Sequence, residues 1–246
     1  MKSEFNETTY QTVFICEFYK TFNQVLGRPP IIPSLITEGD SGYDAELRLR
    51  SSKGLKSIFL QFKIPAYMEK WDSCIQDHRF YKIKITKLSK SKQHNLLVNL
   101  SRRGEAVFYN TPIFHRDLDL VSFSANSQVV SQSRFFNPQE IGYIQDNLQH
   151  HIKYDVNGDK AFFQSDPRQV QIQKDFEAIL NLTQEIEEDY SLKLLKKLFD
   201  IYKEVYGFEF FLPDKLRDFV KDVSEINYIL KKYFGLTWFL VDNIHE

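Results

Sequence analysis

Cysteine is scarce in this chain, and its two cysteines form no motif. Cys16 lies in an apolar stretch and Cys74 stands alone, so we expect neither a zinc site nor a disulfide framework. Long apolar runs are missing too, because no stretch approaches 18 uninterrupted apolar residues. Residues 1–6 contain an acid, Glu4, and lack the apolar segment of a signal peptide. We therefore expect a cytoplasmic protein that has no membrane partner.

Acidic residues are absent from one long segment. The formal net charge of the 246 residues is −1, yet no Asp or Glu occurs between His78 and Gly104. The eight basic residues of this basic segment are Arg79, Lys82, Lys84, Lys87, Lys90, Lys92, Arg102 and Arg103. Such a stripe attracts phosphate groups, and we expect it to bind nucleic acid. The alternative is a solvated, lysine-rich surface without a ligand.

The apolar content is sufficient for one sizeable core and a small subdomain. Hydrophobic residues make up 42% of the chain, with 22 Phe and 13 Tyr. Glycine and proline become sparse after Asp166-Pro167, where the pattern predicts amphipathic helices over residues 170–190, 192–206 and 213–234. We therefore expect an α/β domain over residues 1–165 and an all-helical C-terminal subdomain over residues 166–246. Residues 236–241 are apolar and either cap these helices or add an edge strand.

Polar residues end one predicted strand. Residues 56–63 form an apolar-rich run in which Gln61 and Lys63 share a face, because strand side chains alternate with period two. A glycine-containing turn separates this run from the alternating residues 45–50, which predicts a hairpin. If the two strands are antiparallel, Asp44 at the start of the first lies beside Gln61 and Lys63 at the end of the second.

These groups suit metal-assisted hydrolysis of a phosphodiester. The carboxylate of Asp44 and the amide oxygen of Gln61 are ligands that suit Mg²⁺ or Mn²⁺, and Glu38 or Glu17 could supply a second carboxylate. Of these, we expect Asp44, Gln61 and Glu38 to bind the metal. The ammonium of Lys63 can assist the attacking water. The alternative is that Asp44 is a turn residue, with Gln61 and Lys63 solvated on an edge strand.

The sequences GYDAEL at residues 42–47 and FLQFK at residues 59–63 resemble motifs of the PD-(D/E)XK, or restriction-endonuclease-like, nuclease superfamily. The likeness is closer to its Mrr-like branch, in which Gln replaces the acid before x-Lys. A predicted helix over residues 9–25 resembles the first helix of the superfamily, and Glu17 would be its metal-facing glutamate. The resemblance implies a restriction-endonuclease-like core, a mixed sheet flanked by helices. It also implies a magnesium-dependent endodeoxyribonuclease acting in restriction or anti-phage defence.

Other local signals extend this core. The pattern predicts a helix over residues 89–103 that ends at Gly104, and a strand over residues 106–109. Asn157-Gly158 predicts the turn of a hairpin. Residues 66–77 read either as loop or as helix. His150 and His151 are adjacent, so on a strand they face opposite ways and have structural roles rather than chelating one metal.

Two alternatives to a nuclease stay open at this stage. The uncharged Gln61 in place of an acid is compatible with a catalytically inactive relative that binds nucleic acid through the basic segment. The charged tail is compatible with an interaction protein whose helices recruit a partner. DNA is the expected substrate, while RNA, a homodimer and a place in a multi-component system all stay open.

Overall fold

Two β-sheets and several helices make this a mixed α/β protein. The computed structural model describes residues 1–21, 55–164, 167–176, 178–179, 185–186, 190–207 and 237–242. Its helices are α1 (Glu7–Thr21), α2 (Gln93–Arg102), α3 (Asp117–Ala125), α4 (Pro138–Ile141) and α5 (Tyr190–Tyr206). Its strands are β1 (Leu55–Phe62), β2 (Ala66–Asp72), β3 (Asp77–Ile85), β4 (Ala106–Pro112), β5 (Ser133–Phe136), β6 (His150–Asp155), β7 (Ala161–Phe163), β8 (Arg168–Gln169), β9 (Glu185–Ile186) and β10 (Thr237–Asp242).

The first sheet, sheet I, has the order β10-β1-β4-β5, and β9 also pairs with β1. The strand β1 is parallel to β4 and antiparallel to both β10 and β9. The second sheet, sheet II, has the order β2-β3-β6-β7-β8, and all of its neighbours are antiparallel. The expected hairpin joins β6 to β7, and Gly158 in its turn has φ +67°, a conformation that glycine adopts without steric cost.

The strands β1, β4 and β5 of sheet I are buried on both faces, and the described residues form two apolar cores. The inner core joins side chains of sheet I, sheet II, α2 and α5, and it includes Phe59 of β1. The outer core joins the opposite face of sheet I to α1 and α3, and it includes Ile58, Leu60 and Phe62 of the same strand. The alternation of β1 therefore sends successive side chains into different cores.

Several elements lie where the sequence predicts them. The helix α1 covers the described part of the expected helix, and Phe14 and Phe18 are buried in the outer core. In α2, Leu96, Leu97 and Leu100 are buried as expected, and Gly104 follows with φ +91°. These segments carry apolar residues at helical spacing, which is a local signal.

The expectation of loop or helix over residues 66–77 is wrong. These residues contain β2 and the turn into β3. The turn is fixed by Asp72, whose Oδ1 accepts backbone N–H groups from Cys74 (3.1 Å) and Ile75 (3.2 Å). A side chain that satisfies the backbone two and three residues ahead favours a turn over a helix.

The expectation of one helix over residues 170–190 is also wrong. Gln173 pairs with Phe135 in an isolated bridge, and Glu185 and Ile186 form β9 beside β1. The all-helical C-terminal subdomain is therefore not confirmed, because the described residues after 166 include three short strands as well as α5. Of the two interpretations of residues 236–241, the edge strand is confirmed, since β10 pairs with β1 at the end of sheet I.

Candidate functional site

Gln61 and Lys63 lie at the carboxyl end of β1, beside the parallel strand β4. Gln61 is in register with Tyr109, and the N–H of Lys63 donates to the carbonyl oxygen of Asn110 at 2.8 Å, so the ladder continues through Lys63. The carboxyl ends of parallel strands are common ligand sites in α/β proteins. The alternation of β1 directs Gln61 to the face of Phe59 and Tyr109, which belong to the inner core.

The amide of Gln61 is buried and incompletely hydrogen-bonded. Its side chain is 3% exposed, and its Oε1 has no hydrogen-bond donor. A buried oxygen acceptor without a donor costs about 1–3 kcal/mol relative to a paired one. The Oε1 of Gln61 therefore accepts no hydrogen bond from the described protein and could coordinate a bound group. This is the one described atom of the expected metal shell that fits a cation directly.

Lys63 is half-buried, one residue past the end of β1. Burial lowers the pKa of its ammonium group, and the carboxylate of Glu7 at the start of α1 opposes that shift. Desolvation of this kind disfavours the charged form of lysine, and a nearby anion restores it. An amine so placed can lie close to a phosphate without strong competition from bulk water.

Glu17 occupies a different place from the one expected for it. Its Oε2 accepts the backbone N–H of Val129 at 2.7 Å, and its Oε1 accepts that of Val130 at 2.8 Å, in the outer core. Gln61 faces the inner core on the other side of β1. The structure therefore does not bring Glu17 and Gln61 together, and the contacts of Glu17 fix α1 to the turn before β5.

Asp44 and Glu38 lie outside the described residues, so their places in the metal shell stay predictions. The expected hairpin partner of β1, residues 45–50, lies there as well. Over Leu55–Leu60, β1 pairs with β10 on one edge, while β9 and β4 occupy most of the other. This part of β1 thus offers no continuous edge for a hairpin partner. On the β10 side the pairing stops at Leu60, just before Gln61.

The basic segment does not form one surface. At its far end, Lys92 donates to the carbonyl oxygen of Val205 at 2.8 Å, and Arg103 forms an ion pair with Glu204, so both fasten α2 to α5. Arg102 stacks over the ring of Tyr143, 4.3 Å from its centroid. Lys87 and Lys90 lie in the connection before α2, where the N–H of Lys90 donates to the carbonyl of Lys87. The remaining members, Arg79, Lys82 and Lys84, lie on β3.

Two residues that the sequence did not indicate join Lys82 and Lys84. Lys2 and His151 line the same groove, which has a volume of about 410 Å³. In the register of β3 and β6, Lys84 lies opposite His151. A pairing between strands so far apart in the chain is not visible in a local pattern. The alternation of residues 80–85 does place Lys82 and Lys84 on one face, and this was the available signal.

The described residues contain no other candidate for a metal centre. Among them, no three His, Cys, Asp or Glu side chains cluster as metal ligands do. His150 and His151 lie on opposite faces of β6, and the Nε2 of His150 bonds to Asp146 at 2.7 Å. No helix in the part of the chain that the structure describes is long and apolar enough to cross a membrane.

The fold and the site together define a two-sheet α/β protein with a polar cluster at the carboxyl end of a central strand. Searches for similar protein-family models, curated proteins and solved structures found no match.

Proposed function

We propose that this protein is a nuclease that hydrolyses phosphodiester bonds of DNA with the help of Mg²⁺ or Mn²⁺. The observation that carries the proposal is the buried Oε1 of Gln61, which has no donor and lies two residues before Lys63. A buried oxygen acceptor without a hydrogen-bond donor, at the end of a parallel strand, can coordinate a cation. The motif of residues 42–47 and the Gln-x-Lys of β1 supply the reaction class by resemblance.

Each residue of the proposed site has a distinct task. Gln61, Asp44 and Glu38 would hold the ion, which when bound supplies a water of lowered pKa and neutralises phosphate charge. The ammonium of Lys63 orients the attacking water or stabilises the charge that develops on the phosphate. Glu17 is not part of this shell, because both of its oxygens bond to backbone N–H groups on the other side of β1.

Cleavage assays test the proposal directly. The wild-type chain is expected to cut plasmid or linear DNA in Mg²⁺ or Mn²⁺ and to stop when EDTA is added. Asp44→Ala and Lys63→Ala should each lose at least a hundredfold in rate. Lys160→Ala, at an exposed lysine in the turn before β7, is the matched control and should retain full activity. Full activity in either site variant would contradict the assignment.

A catalytically inactive relative is the second candidate. It is favoured by the uncharged amide of Gln61, since one negative charge fewer weakens the attraction for a divalent cation. This candidate predicts binding of DNA without cleavage in any divalent metal. Cleavage gained only in Gln61→Glu would support it, because that change restores the acid of the wider superfamily.

The third hypothesis is an interaction protein whose C-terminal helices recruit a partner, and the described C-terminal residues support it less. The apolar face of α5 packs into the inner core through Leu194, Leu198 and Ile201 and is not available to a partner. A role in restriction or anti-phage defence is implied by the Mrr-like resemblance and belongs to the same proposal. Expression of the wild-type chain, but not of Lys63→Ala, should then lower the plating efficiency of a sensitive phage.

A further inference from the structure

A groove on the outer face of sheet II collects positive charge next to the candidate site. The residues Lys2, Lys82, Lys84 and His151 line it, and its described lining contains no acidic residue. Its remaining wall is made by Ser3 and residues 64–66, held together where the Ser3 hydroxyl donates to the carbonyl oxygen of Pro65 at 2.8 Å. We call this concavity the basic groove.

The strand register brings basic residues together in this groove. Lys82 lies opposite Lys153, and Lys84 lies opposite His151. Cross-strand pairs of like charge destabilise a sheet. Asp72 neutralises Lys153 through an ion pair, but among the described residues no carboxylate pairs with Lys82 or Lys84. The fold therefore keeps two ammonium groups, without a described carboxylate partner, two residues apart on the same face of β3, which indicates a site for an anion.

The position of the basic groove relates it to the candidate catalytic residues. Ile64 and Pro65, which line the groove, directly follow Lys63 in the chain. Consecutive residues in an extended chain are separated by only about 3.3–3.6 Å. A nucleic-acid strand lying across the end of β1 would thus bring a neighbouring phosphate to the groove.

We propose that the basic groove binds a backbone phosphate of the substrate nucleic acid through Lys2, Lys82, Lys84 and His151. The proposal rests on the proposed function, which supplies the substrate class, and it adds two residues to the expected interface. Within the basic segment, it assigns phosphate binding to Lys82 and Lys84 only, because Lys92 and Arg103 bind to α5 instead. Phosphate contacts of this kind fix the register of a substrate and carry no sequence information themselves.

The state of His151 agrees with an anion site. Burial, together with the charges of Lys82, Lys84, Lys153 and His150, lowers the pKa of His151 to about 4. The imidazole is therefore neutral at pH 7 and can donate one N–H to a phosphate oxygen. An anion bound among these groups would offset their repulsion and raise the pKa of His151 toward its ordinary value.

Binding measured without cleavage tests the basic groove independently of catalysis. Fluorescence anisotropy of a labelled DNA duplex in EDTA, over a series of salt concentrations, gives both the affinity and its salt dependence. The variant Lys82→Gln/Lys84→Gln is expected to bind about tenfold more weakly at low salt and to reduce the salt slope by roughly 2. Loss of two like charges should raise the Tm slightly, which shows that the variant folds.

The control carries the same change in net charge elsewhere. Lys20→Gln/Lys196→Gln removes two exposed lysines from α1 and α5 and should bind like the wild type. If DNA binding weakens equally in both double variants, the proposal for the basic groove is wrong and the effect is one of net charge alone. Weaker binding in the groove variant alone supports the groove even if Mg²⁺ never produces cleavage. Cleavage with unchanged binding by the groove variant would overturn the groove but not the nuclease.

Titration of the His151 ring by NMR separates a nucleic-acid site from a site for small anions. A short DNA duplex is expected to raise the pKa of His151 by at least one unit, and inorganic phosphate at the same concentration should leave it unchanged. An equal rise with inorganic phosphate would overturn the nucleic-acid assignment. No rise with DNA that binds tightly would overturn the groove altogether.

Discussion

Gln61 differs from most buried polar residues in the described part of the chain, because its side-chain oxygen has no hydrogen-bond donor. Nearly all buried polar groups of a folded protein find a hydrogen-bond partner. Two buried side-chain atoms in the described residues do not, the Oε1 of Gln61 and the Nδ2 of Asn110. Only the first is an acceptor, and only an acceptor can bind a cation. The two atoms therefore form a matched pair for experiment.

Replacing Gln61 by methionine should separate stability from metal binding. The change removes the unpaired amide at nearly constant volume, so we expect the free energy of unfolding in EDTA to stay equal or to rise by about 1 kcal/mol. The proposed site predicts that Mg²⁺ or Mn²⁺ stabilises the wild type and that this stabilisation disappears in Gln61→Met, because a ligand stabilises only the state that binds it. Thermal unfolding with and without metal measures both effects.

Asn110 supplies the control for that experiment. Its Oδ1 accepts the hydroxyl of Tyr10 at 2.7 Å, so Asn110→Ala should lower the free energy of unfolding by about 1–3 kcal/mol. It should nevertheless keep the metal-induced rise in Tm. If Gln61→Met proved as destabilising as Asn110→Ala and kept the metal effect, the amide of Gln61 would be structural.

His94 provides a second residue whose environment makes a measurable prediction. Its Nδ1 lies 2.8 Å from the hydroxyl of Tyr109 and its Nε2 lies 2.8 Å from the carbonyl oxygen of Gly142. Burial lowers the pKa of His94 to about 4 from its ordinary 6.5. The folded ring is therefore neutral, with Nε2 donating to Gly142 and Nδ1 accepting from Tyr109.

Acid should destabilise the protein through this ring. Below pH 6.5 His94 becomes protonated in the unfolded chain. In the folded chain it stays neutral until the pH falls to about 4. Stability is therefore lost as the pH falls through this window, by up to roughly 3 kcal/mol. Urea unfolding at several pH values should show a shallower loss in His94→Gln than in the wild type. Identical pH profiles would contradict this prediction, since His151 titrates over the same range in both proteins.

At the scale of elements, the hairpin of β2 and β3 depends on one buried carboxylate. Asp72 is 7% exposed, pairs with Lys153 and caps the turn through two backbone N–H groups. Burial would raise the pKa of Asp72, but the bond to Lys153 and the backbone N–H groups outweigh it and hold the pKa below its ordinary value. The contribution of this carboxylate is therefore present above about pH 3.8 and is lost in stronger acid.

Asp72→Asn isolates the charge, since the amide oxygen can still accept the turn N–H groups. We expect a loss of about 2 kcal/mol in the free energy of unfolding, because Lys153 is left partly buried without its counter-ion. Chemical unfolding at pH 7 measures it. Asp77→Asn, at the other end of the same turn, keeps an oxygen that can accept the N–H of Arg79 and should leave the midpoint nearly unchanged. Equal midpoints for all three proteins would show that the ion pair contributes nothing.

Elements whose signals are local could be predicted, and those that depend on distant pairing could not. The apolar periods of α1 and α2 and the Asn157-Gly158 turn lie within a few residues and are confirmed. The residues at 170–190 carry a helical pattern, but pairing of Gln173 with Phe135 and of β9 with β1 overrides it. Intrinsic propensity is a weak prior when tertiary contacts compete.

The same distinction applies to the candidate site. Period two in β1 is enough to predict that Gln61 and Lys63 share a face, whereas the position of Glu17 depends on the turn at Val129 and Val130. No local pattern near α1 indicates that the N–H groups of this turn would donate to both carboxylate oxygens of Glu17. The site prediction could therefore use the alternation within one strand, but it had no signal for contacts between elements.

At the scale of the whole molecule, β1 is the strand on which distant parts of the chain converge. Its partners β4, β9 and β10 come from the middle and the end of the described chain. The helix α5 adds Leu194, Leu198 and Ile201 to the inner core, and Lys197 pairs with Glu105 before β4. The boundary expected between residues 1–165 and 166–246 stays a prediction, and these contacts supply a way to test it.

A fragment of residues 1–165 is expected not to fold by itself. It lacks β9 and β10, so one edge of β1 has no described partner strand, and it lacks α5 over the inner core. Loss of three buried aliphatic side chains of α5 alone removes roughly 5–9 kcal/mol of apolar burial. That is comparable with the entire stability of a typical domain, about 5–15 kcal/mol. Circular dichroism and chemical unfolding should show no cooperative transition in the fragment and one transition in the whole chain. A cooperative transition in the fragment would establish residues 1–165 as an independent domain, with the later strands docking onto a sheet that is already formed.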